Sequence, residues 1–137
     1  MDAVTWAFDV DGTLIGSIRS DRLRPGAADL LARLVERGVV IVLWSAGGAD
    51  YALDMADSHG IGKYVAGFYA KEDRDEYKRY RVDHFVAEHH PNVFVDDSVI
   101  DLPLGSRMVE VSQFLGSNDA DDALIRLAAN LDHHLIP

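Results

Sequence analysis

The chain has 137 residues, 48% hydrophobic and 26% charged, with 23 acidic residues against 13 basic ones and a formal net charge of −10. That length reads as a single domain over residues 1–137 with enough apolar side chains for one core. No apolar run approaches the roughly 20 residues of a membrane span, the acidic balance leaves nucleic acid only a local basic patch, and the absence of cysteine excludes disulfides and thiolate metal sites.

Residues 4–8 form a short apolar run with no basic leader, which reads as a buried strand rather than a signal peptide, and the chain as cytoplasmic. It runs into Asp9-Val10-Asp11-Gly12-Thr13-Leu14, where two carboxylates two residues apart share one side of an extended backbone and Gly12 lets backbone N–H groups approach an anion. Two like charges so close need a shared proton or a cation, and Mg²⁺ suits an all-oxygen site facing phosphate. The stretch therefore reads as a phosphoryl-transfer site, against the plainer alternative of a surface Asp-x-Asp-Gly turn.

A polar flap at about 14–24 leads to Pro25-Gly26 and a helix over 27–37, whose Leu30, Leu31, Leu34 and Val35 make one apolar face and which Gly38 ends. Residues 39–44 are apolar throughout, as in a central parallel strand, and Ser45 follows directly. Ser45, Ala46 and Gly47 offer a hydroxyl and successive N–H groups before a helix over 49–59, a nest suited to phosphate oxygens, with a plain helix cap as the alternative. A short strand or turn is expected at 65–69, a third helix at 80–89 and a strand at 93–95 ending in Asp96-Asp97. A last strand follows at 108–111 and a closing amphipathic helix at 120–131, capped by Asn118 or Asp119. The alternation implies an α/β fold, a doubly wound, mostly parallel sheet with helices on both faces.

Three strand ends thus deliver Asp9/Asp11, Ser45 and Asp96/Asp97 to one edge of the sheet. In this order the motifs resemble those of the haloacid dehalogenase superfamily, most of whose members transfer phosphoryl groups through an aspartyl-phosphate. The resemblance implies Asp9 as nucleophile, Asp11 as general acid/base, Gly12 and Thr13 beside the bound phosphate, and Mg²⁺ held by Asp9, the Asp11 backbone carbonyl, Asp96 and Asp97. It also requires a lysine. Lys78, eighteen residues ahead of Asp96, is the expected one, with Lys71 the alternative and kept among the phosphate-binding candidates. Residues 14–24 leave room for a hairpin flap only, and 45–78 for one helix and one strand, so the resemblance is to members without a cap domain.

Residues 73–97 are similar to polynucleotide 3′-phosphatase domains, and Leu23-Arg24-Pro25-Gly26, Trp44-Ser45-Ala46, Tyr51-Ala52 and Asp121/Asp122 to phosphatases of the RNA polymerase carboxy-terminal domain. The expected activity is Mg²⁺-dependent hydrolysis of a phosphate monoester, macromolecular where the site is uncapped. A nucleic-acid 3′-end phosphatase and a non-catalytic phosphate- or metal-binding module are the alternatives. Arg19, Arg22, Arg24, Arg74, Lys78, Arg79 and Arg81 are the basic residues available for a positive rim.

Overall fold

The computed structural model describes residues 4–135. Five strands, β1 (Thr5–Asp9), β2 (Val40–Ser45), β3 (Val65–Ala70), β4 (Val93–Asp96) and β5 (Arg107–Glu110), form one sheet in the order β3-β2-β1-β4-β5. Every pairing is parallel. The chain winds outward from β1 to β3, crosses back to β4 and winds outward again, the doubly wound arrangement expected of alternating strands and crossovers. β1, β2 and β4 are buried almost throughout, which accounts for their unbroken apolar sequence.

Alternate strand residues build two cores. Trp6, Phe8, Ile41, Leu43, Val93 and Val95 face α1 (Ala27–Glu36), α2 (Ala49–Ser58) and α3 (Ala123–Ala129). α1 contributes Leu30, Leu31 and Leu34, all fully buried, whereas Val35 is 44% exposed, so its apolar stripe is narrower than expected. It ends at Gly38 as expected, with the N–H groups of Gly38 and Val39 returning to the carbonyls of Val35 and Leu34.

The opposite face, carrying Ala7, Val42, Trp44 and Phe94, is covered by residues 71–92 and 97–106. The helix expected at 80–89 is not formed. Tyr80, Val82 and Phe85 do turn inward, but the N–H of Tyr80 donates to Asp101 and that of Arg81 to Asp73, so cross-segment bonds take the place of a helical ladder. Arg74 and Tyr80 pair as an antiparallel bridge, and only single 3₁₀ turns occur, at Ala87–His89 and Val99–Asp101.

The closing helix starts later than expected, at Ala123 with Asp122 as its N-cap, and α4 (Leu131–His134) follows it. Asn118 caps no helix; its Oδ1 accepts the N–H of Ala120 in the preceding turn, and Asp119 is paired with Arg22. Residues 14–24 close through an Ile15–Leu23 antiparallel bridge, and Ser17, Arg19 and Ser20 fasten them to the backbone of 114–116. Among the described residues no helix is long and apolar enough to cross a membrane.

Candidate functional site

Strand order reverses between β1 and β4, the place where open parallel sheets hold ligands at the carboxyl ends of their strands. Asp9 is the last residue of β1 and Asp96 the last of β4. Lys71, the residue after β3, extends its ammonium between them, 2.8 Å from Asp9 Oδ1 and 3.0 Å from Asp96 Oδ2. Its side chain is 9% exposed and its Nζ lies 5.2 Å from the centre of the Trp44 ring and 5.5 Å from that of Tyr80, so two aromatic faces shield the ion pair. Thr13, fully buried, donates its hydroxyl to Asp9 Oδ2 at 2.9 Å. Both oxygens of Asp9 are therefore held.

Lys71, not Lys78, is the lysine among the carboxylates. Lys78 is exposed in the turn of the 74–80 bridge, with a left-handed backbone (φ 67°), its N–H on Asp75 and its carbonyl on Arg74. Lys71 follows β3 directly, so the strand-end rule makes it a candidate without deciding between it and Lys78.

One carboxylate oxygen each from Asp9, Asp96 and Asp97 lies within 4.8 Å of the others, a set able to hold a metal ion. Burial, then the opposing pull of Lys71, leaves Asp9 with a pKa above the ordinary carboxylate value, Asp96 adding to the rise. Burial and the nearby Asp9 and Asp96 push Asp97 up to about 7. Burial would lower the Lys71 ammonium, but Asp9 and Asp96 more than reverse it, and the lysine keeps its charge. Three carboxylates against one ammonium leave negative charge in excess, the condition a hard divalent cation with oxygen ligands relieves. Gly12, at φ 83°, lies so close to Asp97 that a Cβ there would run into its Oδ2.

Asp11 takes another direction. Its carboxylate accepts a 2.5 Å hydrogen bond from the Tyr51 hydroxyl, and its side chain is outside the three-carboxylate cluster, to which the sequence assigns it only a backbone carbonyl. Ser45, 2% exposed, accepts the Gly47 N–H on its hydroxyl at 3.0 Å, while its carbonyl receives the N–H groups of Lys71 and Gly48. Residues 45–48 thus form a tight turn into α2, in which the Gly47 and Gly48 N–H groups are bonded to Ser45.

Among families of known proteins, residues 4–109 match the model described as "Protein of unknown function (DUF705)", most of the chain. The chain belongs to the DUF705 family. No curated protein matches it. The part matched to DUF705 runs from before β1 into β5 and contains Asp9, Asp11, Ser45, Lys71, Asp96 and Asp97.

Arg24 is a supporting residue that the sequence misplaces. Expected on a positive rim, it is 1% exposed and spends all five N–H donors inside the protein. Nε and Nη2 grip Asp121 at 2.7 and 3.0 Å, Nη2 also reaches Ser112, and Nη1 donates to the carbonyls of Gly12 and Thr13 at 3.3 Å each. It fastens the turn after Asp9 to the segment before α3, beyond the DUF705 match. Other members of the expected rim are paired on the surface: Arg22 with Asp119, Arg74 with Asp101, and Arg81 with Asp83. A concavity of about 790 Å³ opens at the other end of the sheet, beside Thr5, Val40, Ala66, His89 and Asn92, far along the strands from the carboxylates.

Proposed function

We propose that this DUF705 chain is a divalent-cation-dependent phosphatase of the haloacid dehalogenase type, acting on phosphate monoesters through an aspartyl-phosphate. The reading is carried by one observation: Lys71 joins Asp9 to Asp96 at the point where strand order reverses, with Asp97 completing the cluster. Asp9 attacks phosphorus in line, forming the Asp9–phosphorus bond as the ester bond to the leaving oxygen breaks. The Asp11 carboxyl gives its proton to that oxygen. In the second half of the cycle Asp11 takes a proton from water as the water oxygen attacks phosphorus and inorganic phosphate leaves.

Lys71 and Thr13 hold one oxygen of Asp9 each, which fixes the plane of the nucleophile before substrate arrives. Lys71, the Ser45 hydroxyl and the Ala46 N–H are the groups we propose to receive phosphoryl oxygens. Magnesium is the proposed ion; Asp9, Asp96 and Asp97 would hold it, and when bound it supplies neutralisation of the charge on the phosphoryl oxygens. We take the protein to act in the cytoplasm, in line with a chain free of cysteine.

A substrate presented at the end of a larger molecule fits the short connections after Asp9 and Ser45. A nucleic-acid substrate is the weaker reading, because Arg22, Arg24, Arg74 and Arg81, four of the arginines that would track its backbone, are engaged by aspartates. The test is phosphate release from sugar phosphates, nucleotides, phosphopeptides and 3′-phosphorylated oligonucleotides, with Mg²⁺ or EDTA. Wild-type protein should release phosphate only with Mg²⁺, and Asp9→Asn should lower the rate by at least about 10³-fold. Full activity in that variant, or no release from any substrate by folded protein, would overturn the proposal.

A further inference from the structure

Tyr51 stands in the first turn of α2 and reaches across to the turn after β1, where its hydroxyl meets Asp11 Oδ1 at 2.5 Å. Among the described residues no other side chain holds the Asp11 carboxylate. The ring lies against Gly47, where an added Cβ would stand 2.8 Å from Tyr51 Cδ2 and 3.0 Å from Cγ. Gly47 in turn is tied to the Ser45 hydroxyl. One side chain therefore links the turn at residues 45–48 to the turn that carries Asp11.

We infer that Tyr51 is a positioning residue that holds the Asp11 carboxyl group in the orientation needed for proton transfer, an inference that rests on the phosphatase reading. A hydroxyl donating to Oδ1 leaves Oδ2 to give or take the proton. The contact therefore persists while Asp11 protonates the leaving oxygen and while it later accepts a proton from water. Tyr51 takes no part in the exchange, because its hydroxyl proton is donated to Oδ1. Without it, the Asp11 side chain regains free rotation about its two side-chain bonds, and only part of its population faces the reacting oxygen.

The consequence depends on the leaving group. An aryl phosphate releases a stable phenolate and needs little help from an acid, so formation of the aspartyl-phosphate should survive in Tyr51→Phe. Its hydrolysis needs Asp11 as base and should slow. With an aryl phosphate and Mg²⁺, stopped-flow measurement on Tyr51→Phe should give a rapid burst of about one phenol per protein and a steady rate lowered about tenfold or more, with KM not raised. With an alkyl phosphate the same variant should lose about tenfold or more in kcat and show no burst. Asp11→Asn should give the same pattern more strongly, and circular dichroism should show that Tyr51→Phe is folded.

Burst rate and steady rate falling together would make Tyr51 a merely structural residue, and unchanged kinetics with both substrates would remove any role; either result overturns the inference while leaving the phosphatase standing. Absence of Mg²⁺-dependent turnover in wild-type protein would instead overturn the phosphatase reading, and this inference with it.

Discussion

The two faces of the sheet are built by different means. One is covered by three α-helices, whose buried positions, such as Leu30, Leu31 and Leu34 of α1, recur at helical spacing. The other is covered by the non-helical segments 71–92 and 97–106, packed around Trp44. Trp44 meets Tyr80, Phe85 and Phe94 with ring centres 5.3 to 5.8 Å apart, and Tyr69 stacks on Phe85 at 4.1 Å. The helical face supplies, through α2, Tyr51. The irregular face supplies the aromatic floor on which Lys71 rests. A face without a repeating ladder can place each side chain individually, but its sequence does not set it apart from a helical one.

The sharpest way to break this comparison is at its lysines. Lys71→Met should lower turnover by about 10²–10³-fold, as expected for loss of a charge that stabilises the transferring group, whereas Lys78→Met should stay within about twofold. Comparable losses in the two variants, measured as kcat/KM with an aryl phosphate, would return the catalytic assignment to the surface turn.

Next in size is a pair of cavities. Trp44→Ala should cost about 3–5 kcal/mol in chemical denaturation and Leu31→Ala about 2–5 kcal/mol. Only the first should also lower kcat of the folded fraction, because Lys71 loses the ring beneath its ammonium. An equal effect on kcat would mean that both faces serve the site alike.

A third prediction concerns pH in metal-free protein. Asp97 titrates near 7 when folded against an ordinary value of 3.8, so the folded state binds the proton more tightly. The stability this provides is complete below about pH 4 and is lost as pH rises through about 7. Thermal melts in EDTA should show that loss in wild type and a shallower one in Asp97→Asn, and Mg²⁺ should restore the wild type most at high pH. Identical profiles for the two proteins would remove Asp97 from the buried charge cluster.

The smallest effect is at the tip of the 74–80 turn. Lys78 holds φ 67°, a conformation that a residue with a Cβ adopts at a cost, so Lys78→Gly should change stability little, between zero and about 1 kcal/mol in its favour, with activity intact. A fall in kcat there would reopen a role for this turn in the chemistry.

Much of the site was legible because strands are short, apolar and bounded. Asp9, Ser45 and Asp96 are the last residues of β1, β2 and β4, and their position after apolar runs was enough to place them at one edge of the sheet. Residues 80–89 were misread because Tyr80, Val82, Phe85 and Val86 offer an apolar pattern that a helix and an irregular inward-facing loop share. Arg24 was misread because an arginine in a polar loop has the same sequence appearance whether solvated or buried; only the approach of Asp121, 97 residues away, decides.

By itself, then, the sequence determined the α/β alternation, the strand ends and the acidic character of the site, since these follow from local apolar runs and the residues that terminate them. Tertiary structure alone decided which lysine joins the carboxylates. The β2–β3 pairing runs Ile41 with Val65 and then Val42 with Gly67, so Ala66 is an extra residue in β3. Because side chains alternate along a strand, that one insertion puts Lys71 on the Trp44 side of the sheet, where Asp9 and Asp96 also point. A bulge of one residue leaves no mark in composition or periodicity, and it sets the side from which the ammonium approaches Asp9.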